Sequence, residues 1–129
     1  MSGLLVLGCD GVRAARRPAE DVFVAVSRKA PARGDDCSLE RINGNCRLDL
    51  DGQFEVHATC PGAPPADQEL ARVFVCRRPG WEKELTRAAC RAGADAMVYL
   101  YTWSDACFDE DLEGVTGFGR AEYRIYRTR

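Results

Sequence analysis

The sequence has few of the residues on which catalytic and nucleic-acid-binding sites depend. It contains one histidine, His57, and its only lysines are Lys29 and Lys83. Basic residues number 18 and acidic residues 20, which gives a net charge of -2 at pH 7, whereas a nucleic-acid-binding domain concentrates positive charge. No two cysteines have the Cys-x-x-Cys spacing of thioredoxin-like redox sites and zinc knuckles. These absences predict no nucleic-acid partner, no cofactor and no metal site.

The single histidine is not expected to be catalytic. Hydrolysis requires a histidine beside a nucleophile and an orienting carboxylate, and nothing in the sequence places such groups next to His57. We interpret His57 as a solvent-exposed strand residue. We therefore predict no catalytic residue and a protein that is not an enzyme.

The cysteine count points to export and a lipid. Seven cysteines are an odd number, and in an exported protein the odd one needs a partner or a modification. Residues 4–9 (LLVLGC) resemble the end of a bacterial lipoprotein signal. The apolar run is shorter than the ~7–15 residues of a working signal, so we expect a start codon further upstream or a clipped form. Residues 1–9 are thus predicted to be a signal remnant with Cys9 lipidated.

Six cysteines remain once Cys9 is set aside, and six can pair completely. On the chain-entropy model each cross-link would stabilise the fold by about 3 kcal/mol, although the sequence leaves the pairing open. Alternatively, thiolates on neighbouring strands converge on a soft ion such as Zn or Cu(I). A third hypothesis is a cytosolic thiol protein with an unmodified Cys9 and a strand at residues 4–7. The predicted disulfide cysteines are Cys37, Cys46, Cys60, Cys76, Cys90 and Cys107.

The first half of the chain is predicted to be a tether followed by strands. Residues 10–20 hold three arginines and a proline and are predicted to be a tether before a single domain of residues 21–129. The apolar run 22–26 predicts a strand covered on both faces. Turn signals at Asn43-Gly44 and Asp51-Gly52 predict an antiparallel meander. A three-residue loop of residues 50–52 would pair Leu48 with Phe54 and Cys46 with Val56.

The second half alternates strands with one helix. Residues 69–77 predict a strand, and apolar residues at helical spacing predict a helix from Trp81 to Ala92 that Gly93 ends. Residues 96–103, apolar on both faces, predict a central strand. After an acidic loop of residues 104–119, alternating residues 120–127 predict a half-exposed strand that closes a hairpin. The predicted fold is α+β, an antiparallel sheet of five to six strands with one packed helix, stapled by disulfides.

The junction of the predicted helix with the following strand carries a resemblance. Residues 87–98 (RAACRAGADAMV) resemble the same junction in small bacterial domains of the YbjQ type. With Cys107 in the next loop, residues 69–127 also resemble the Rcs-pathway outer-membrane stress-sensor lipoproteins. The resemblance implies a compact sheet carrying one helix, disulfides, an N-terminal lipid anchor and a sensory or envelope-binding role without catalysis.

A stripe of aromatic residues on the strand at 96–103 supplies a candidate partner surface. Tyr99, Tyr101 and Trp103 alternate along this strand, so all three are predicted to share one face. An exposed aromatic stripe provides an apolar platform for a partner. We expect a lipid-anchored protein on the periplasmic side of the bacterial envelope that binds an envelope protein or a cell-wall component.

Overall fold

The computed structural model describes residues 21–53, 56–103, 107–109, 114–115 and 118–129. The predicted signal remnant with Cys9 and the predicted tether lie outside these residues. The described elements are the strands β1 (Val22–Val26), β2 (Glu40–Ile42), β3 (Arg47–Leu50), β4 (Val56–Thr59), β5 (Glu69–Cys76), β6 (Ala96–Trp103), β7 (Phe108–Asp109), β8 (Gly114–Val115) and β9 (Arg120–Tyr126), the helix α1 (Trp81–Arg91) and a 3-10 turn (Ala66–Gln68).

The chain has the predicted α+β fold, with one five-stranded sheet among the described residues. The strand order is β1-β5-β9-β6-β2, and all neighbours run antiparallel except β2, which is parallel to β6. The loop before β2 is held at the end of α1, since the amide of Arg33 donates to the carbonyl of Cys90 at 2.8 Å. The amide of Glu40 also donates to the carbonyl of Asp95 at 2.9 Å. Strands β2 and β6 therefore start side by side and run in the same direction. The sheet is mixed rather than wholly antiparallel.

One face of the sheet is covered by α1, which forms where the helical spacing predicts it. Leu85 and Ala89 are fully buried in this layer. Their partners come from all the long strands, because the same spacing that makes the helix amphipathic turns its apolar side onto the pleated sheet. The fully or almost fully buried members of this cluster are Leu70, Ala71, Val73, Val75, Leu85, Ala89, Ala94, Met97, Ala121, Tyr123 and Ile125.

Gly93 ends α1, as predicted. Its φ of 92° lies in the left-handed region, which a residue with a Cβ adopts only at a cost. A Cβ at this position would also lie 2.5 Å from the carbonyl oxygen of Pro31. Glycine is thus needed here both for the backbone turn and for the close approach of the loop before β2.

The other face of the sheet is partly covered by the hairpin of β3 and β4. Ala58 of this hairpin packs on a second buried cluster that includes Val98 and Tyr126. The hairpin predicted around Asp51-Gly52 is confirmed, but its predicted register is wrong. Leu48 pairs with Ala58 and five residues, 51–55, connect the strands, which sets Cys46 beside Cys60 and not beside Val56. Phe54, the predicted partner of Leu48, lies outside the described residues.

The turn predicted at Asn43-Gly44 does not join two paired strands. β2 pairs with β6 instead of with β3, so the predicted meander is wrong at this point. A Cβ on Gly44 would lie 2.6 Å from Cγ1 of Val98. Gly44 therefore lets the backbone lie against the sheet as it crosses from β2 to the hairpin.

Two strands differ from their predicted places in the sheet. β1 was expected to be covered on both faces, but it is an edge strand with Phe23 64% and Val26 56% exposed. The last strand, β9, was expected to be half-exposed, but it occupies the centre of the sheet between β5 and β6. Strand β6 is interior, though not central. Within the predicted loop of residues 104–119, β7 and β8 form a small antiparallel hairpin.

Three disulfides join the six cysteines that were predicted to pair. Cys37–Cys90 links the loop before β2 to α1, across 53 positions of sequence. Cys46–Cys60 closes the base of the β3 and β4 hairpin across 14 positions. Cys76–Cys107 links the end of β5 to the segment after β6 across 31 positions. Two of the three disulfides therefore hold a loop segment to the helix or to the sheet, and the Cys46–Cys60 disulfide ties together the two strands of the hairpin.

The disulfide that closes the longer loop is expected to stabilise the domain more. On the chain-entropy model the Cys37–Cys90 link contributes about 4 kcal/mol and the Cys46–Cys60 link about 3 kcal/mol. We predict that C37A/C90A lowers the urea midpoint of the oxidised protein more than C46A/C60A, which serves as the matched control. Equal midpoints, or the opposite order, would contradict this assignment.

Candidate functional site

The six cysteines in the described part of the chain are all in disulfides, so none of them supplies a free thiolate. Structural disulfides persist in oxidising compartments outside the cytosol, so the pairing places this domain in such a compartment. Within the described residues, no group of three or more His, Cys, Asp and Glu side chains is arranged to hold a metal ion. No helix there is long and apolar enough to cross a membrane.

His57 lies on β4, on the side of the hairpin turned away from the sheet. Its side chain is 57% exposed, and Nε2 lies 2.7 Å from Oδ2 of Asp51. The predicted solvent exposure of His57 is therefore observed, with a carboxylate contact that the sequence did not indicate. The Asp51 contact follows from the longer loop, since residue 51 now begins the turn and folds back toward β4.

The aromatic stripe predicted on β6 is divided between the two faces of the sheet. Tyr101 pairs with Glu122 of β9, whereas Tyr99 pairs with the next residue, Tyr123. Paired residues share a face and neighbours along a strand alternate, so Tyr99 points to the helix side and Tyr101 to the opposite side. One extra residue, Leu100, is accommodated on β6 at this bulge. The predicted common surface of Tyr99, Tyr101 and Trp103 is therefore wrong for Tyr99.

Tyr101 and Trp103 instead join a row of aromatic residues on the face opposite α1. The strand register aligns Phe23 with Phe74, Phe74 with Glu122, and Glu122 with Tyr101. The rings of Phe23 and Phe74 are 5.8 Å apart, and those of Tyr101 and Trp103 are 5.0 Å apart. We call Phe23, Phe74, Tyr101 and Trp103 the aromatic face. It extends across β1, β5 and β6, and β9 lies between β5 and β6.

A buried carboxylate holds one half of the aromatic face in place. Oε1 of Glu122 accepts hydrogen bonds from the hydroxyl of Tyr101 at 2.7 Å and from Nε1 of Trp103 at 2.8 Å. Glu122 is 3% exposed, and its Oε2 lies 3.5 Å from Nη1 of Arg72. Charge-assisted bonds in a low-dielectric setting are strong, so both rings are held with fixed orientation. The pKa of Tyr101 is raised to about 12, first by burial and then by the bond to Glu122.

Arginines flank the other half of the aromatic face. The guanidinium of Arg120 lies 5.1 Å from the ring centre of Phe74, a distance at which cation and ring attract. Arg72 is 36% exposed at its side chain. The exposed fractions are 64% for Phe23 and 37% for Trp103. The aromatic face thus presents apolar rings and arginine side chains to solvent, while the carboxylate of Glu122 is buried.

Sequence reasoning missed Phe23, Phe74 and Glu122 as members of this surface. The alternation of Arg120, Glu122 and Arg124 is typical of a half-exposed strand, and it gave no sign that Glu122 is buried. Phe74 stands in an apolar run where every residue looks like core. A usable signal was the presence of two hydrogen-bond donors, Tyr101 and Trp103, on one predicted strand, since buried donors require an acceptor nearby.

The cleft between α1 and β1 is a weaker candidate site. Its floor is apolar, with Val22, Val24, Ala88 and Ala92, and Arg87 and Arg91 stand at its rim. Both arginines already face Asp35, which Arg91 bonds through two nitrogens at 3.1 Å. The hydrogen bond from Arg91 is the largest influence on the Asp35 carboxyl and lowers its pKa. Among the described residues that line the cleft, these internal ion pairs leave neither arginine free to bind a ligand.

Comparison with known proteins identifies no relative for this chain. No family model matches it, and neither a curated protein sequence nor a solved structure matches it.

The hydroxyl of Tyr101 is expected to stabilise the fold in a pH-dependent way. Its folded pKa of about 12 lies above the unfolded value of about 10. The contribution is therefore complete below pH 10 and is lost as the pH rises from about 10 to about 12. We predict that Y101F lowers the free energy of unfolding at pH 7 by about 1.5 kcal/mol and flattens its decline across that pH range.

The control for this prediction is Y99F, which removes a hydroxyl from a residue that is 47% exposed and whose hydrogen bond, to the hydroxyl of Thr102, is exposed to solvent. Its expected cost is about 0.5 kcal/mol, smaller than that of Y101F, because the hydrogen bond that it removes is exposed. Urea unfolding followed by tryptophan fluorescence measures both quantities. If Y101F and the wild-type protein decline equally between pH 10 and 12, Tyr101 is not the bonded partner of Glu122.

Proposed function

We propose that this chain is a non-catalytic lipoprotein of the bacterial cell envelope, a binding or stress-sensing module tethered by a lipid on Cys9. The observation that carries the proposal is the set of three disulfides, which suits an oxidising compartment. With six cysteines paired, Cys9 is the remaining cysteine of the seven, and it follows an apolar run and a glycine. The resemblance of residues 69–127 to stress-sensor lipoproteins points the same way.

The aromatic face is the binding surface in this proposal, and its partner is an envelope protein or a cell-wall component. Aromatic rings supply large contact areas at low entropic cost when they are already ordered. Tyr101 and Trp103 are ordered by Glu122 through bonds of 2.7 and 2.8 Å. A partner therefore meets rings whose orientation has been fixed during folding. The exposed side chain of Phe23 extends this apolar surface to the edge of the sheet.

The two alternative hypotheses from the sequence have less support than the envelope hypothesis. A soft-metal-binding domain requires free thiolates that converge, and a cytosolic thiol protein requires reduced cysteines. The pairing of six cysteines in three disulfides leaves neither alternative the thiols that it needs in these positions. No other observation favours either one.

The lipid anchor is tested by intact mass on protein made in its native bacterium under the upstream genomic sequence. We expect the oxidised polypeptide to lack six protons, to resist alkylation and to carry a diacyl or triacyl addition on Cys9. The detergent-enriched phase should retain the protein, and C9S should release it. The control variant C46A/C60A removes two other cysteines and should keep the lipid. Six alkylated cysteines, or a wild-type mass without acyl chains, would overturn the proposed anchor.

Binding through the aromatic face is tested by photo-crosslinking in the same cells. A photoreactive amino acid in place of Trp103 should yield an adduct heavier than the chain and different from twice its mass. The matched control places the same amino acid at Lys83, an exposed position on α1 at the opposite face of the sheet. We expect no adduct there. Equal adducts at both positions, or none at Trp103, would contradict a binding role for this face.

A further inference from the structure

The outer edge of β1 lacks the features that protect edge strands in soluble proteins. β1 pairs with β5 on one side, and among the described residues no strand pairs with its other side. Its five residues, VFVAV, include no charged residue and no proline, and its pairing with β5 runs without a bulge. Unpaired backbone groups on such an edge are a template for another strand.

The opposite edge of the same sheet is protected. β2 is three residues long, and two of them, Glu40 and Arg41, are charged and exposed. Short charged strands are a common device against edge-to-edge association. The contrast within one sheet shows that exposure of the β1 edge is particular to β1 and is not shared by both edges.

The sequence of β1 is complementary to itself when two copies run antiparallel. With Val24 opposite Val24 of a second copy, Phe23 stands opposite Ala25. The large ring of each chain thus meets a small side chain, and the two rings come within diagonal reach of each other. On the helix side, Val22 stands opposite Val26. Every cross-strand pair is apolar, and four of the five residues are aromatic or β-branched, as suits paired strands.

The charges that flank β1 favour the same arrangement. Asp21 precedes the strand, and Arg28 and Lys29 follow it by two and three residues. In an antiparallel pair Arg28 and Lys29 of one chain lie at the opposite end of the interface from Arg28 and Lys29 of the other, so the basic residues of the two chains are kept apart. A parallel pair would set like charges together, which is unfavourable. The carboxylate of Asp21 is already paired with Nε of Arg78 at 3.0 Å within its own chain, so the preference for the antiparallel pair comes from Arg28 and Lys29.

We propose that β1 is a self-association edge, at which a second copy of this chain adds its own β1 antiparallel about Val24. The inference goes beyond the proposed function and does not depend on the lipid anchor. One strand from each chain buries a small area, below the roughly 1,200 Å² of stable interfaces. The dimer is therefore weak in solution and forms in a concentration-dependent way. Tethering two chains to one surface would raise their effective concentration.

The test is sedimentation equilibrium on the full oxidised chain carrying C9S, so that neither a lipid nor a disulfide at Cys9 joins two molecules. We expect the mean mass to rise toward two chains between roughly 10 µM and 1 mM, the range of a weak interface. A25K places a lysine on the exposed edge and should raise the dissociation constant at least about tenfold. Q53K adds the same charge in an exposed turn and should leave it unchanged.

Charge reversal supplies a second, independent result. A25K and A25E should each be monomeric, whereas an equal mixture should associate, because opposite charges then lie diagonally across the twofold axis. A mixture that associates no more than either variant alone would overturn the proposed register. A C9S chain that stays monomeric at about 1 mM, or an A25K variant that dimerises like the C9S chain, would overturn the self-association edge itself.

Discussion

The whole arrangement depends on how charge is neutralised along β9, the strand at the centre of the sheet. The residues of β9 that point to the face opposite α1 include three charged ones, Arg120, Glu122 and Arg124. A charge that leaves water needs a partner. Glu122 has the Tyr101 hydroxyl, the Trp103 indole and Arg72 around it. Arg124 lies 3.8 Å from Oε1 of Glu69 and also donates to the carbonyl of Ala58 at 3.1 Å. These contacts allow a strand that looks amphipathic to be buried on both sides.

The position of β9 in turn organises both layers. Its helix-facing residues, including Tyr123 and Ile125, complete the core beneath α1. On the other face, the bond from Arg124 to Ala58 helps to fix the β3 and β4 hairpin against the sheet. A domain of this size buries a limited core, and the three disulfides hold the segments that lie outside the sheet's continuous hydrogen bonding. Covalent links and paired charges thus support different parts of the same small fold.

The two proposed surfaces meet at Phe23. This ring belongs to the aromatic face and also stands on β1, an edge strand of the sheet among the described residues. Association of two chains through β1 would join their sheets edge to edge, so the two aromatic faces would become one continuous surface. A partner that spans both faces would then bind a dimer better than a monomer, which links the self-association edge to the binding role proposed for the aromatic face.

The sequence by itself determined the elements whose signals are local. The bounds of α1 follow from helical spacing and from Gly93, and β5 and β6 follow from continuous apolar runs, because these patterns reflect the backbone's own geometry. The hairpin around Asp51-Gly52 and the pairing capacity of six cysteines were also predictable. Tertiary structure alone decided the central place of β9, the parallel entry of β2, the cysteine partners and the bulge that separates Tyr99 from Tyr101. Each of these depends on contacts between residues far apart in sequence, as when Tyr101 and Trp103 of β6 donate hydrogen bonds to the buried Glu122 of β9.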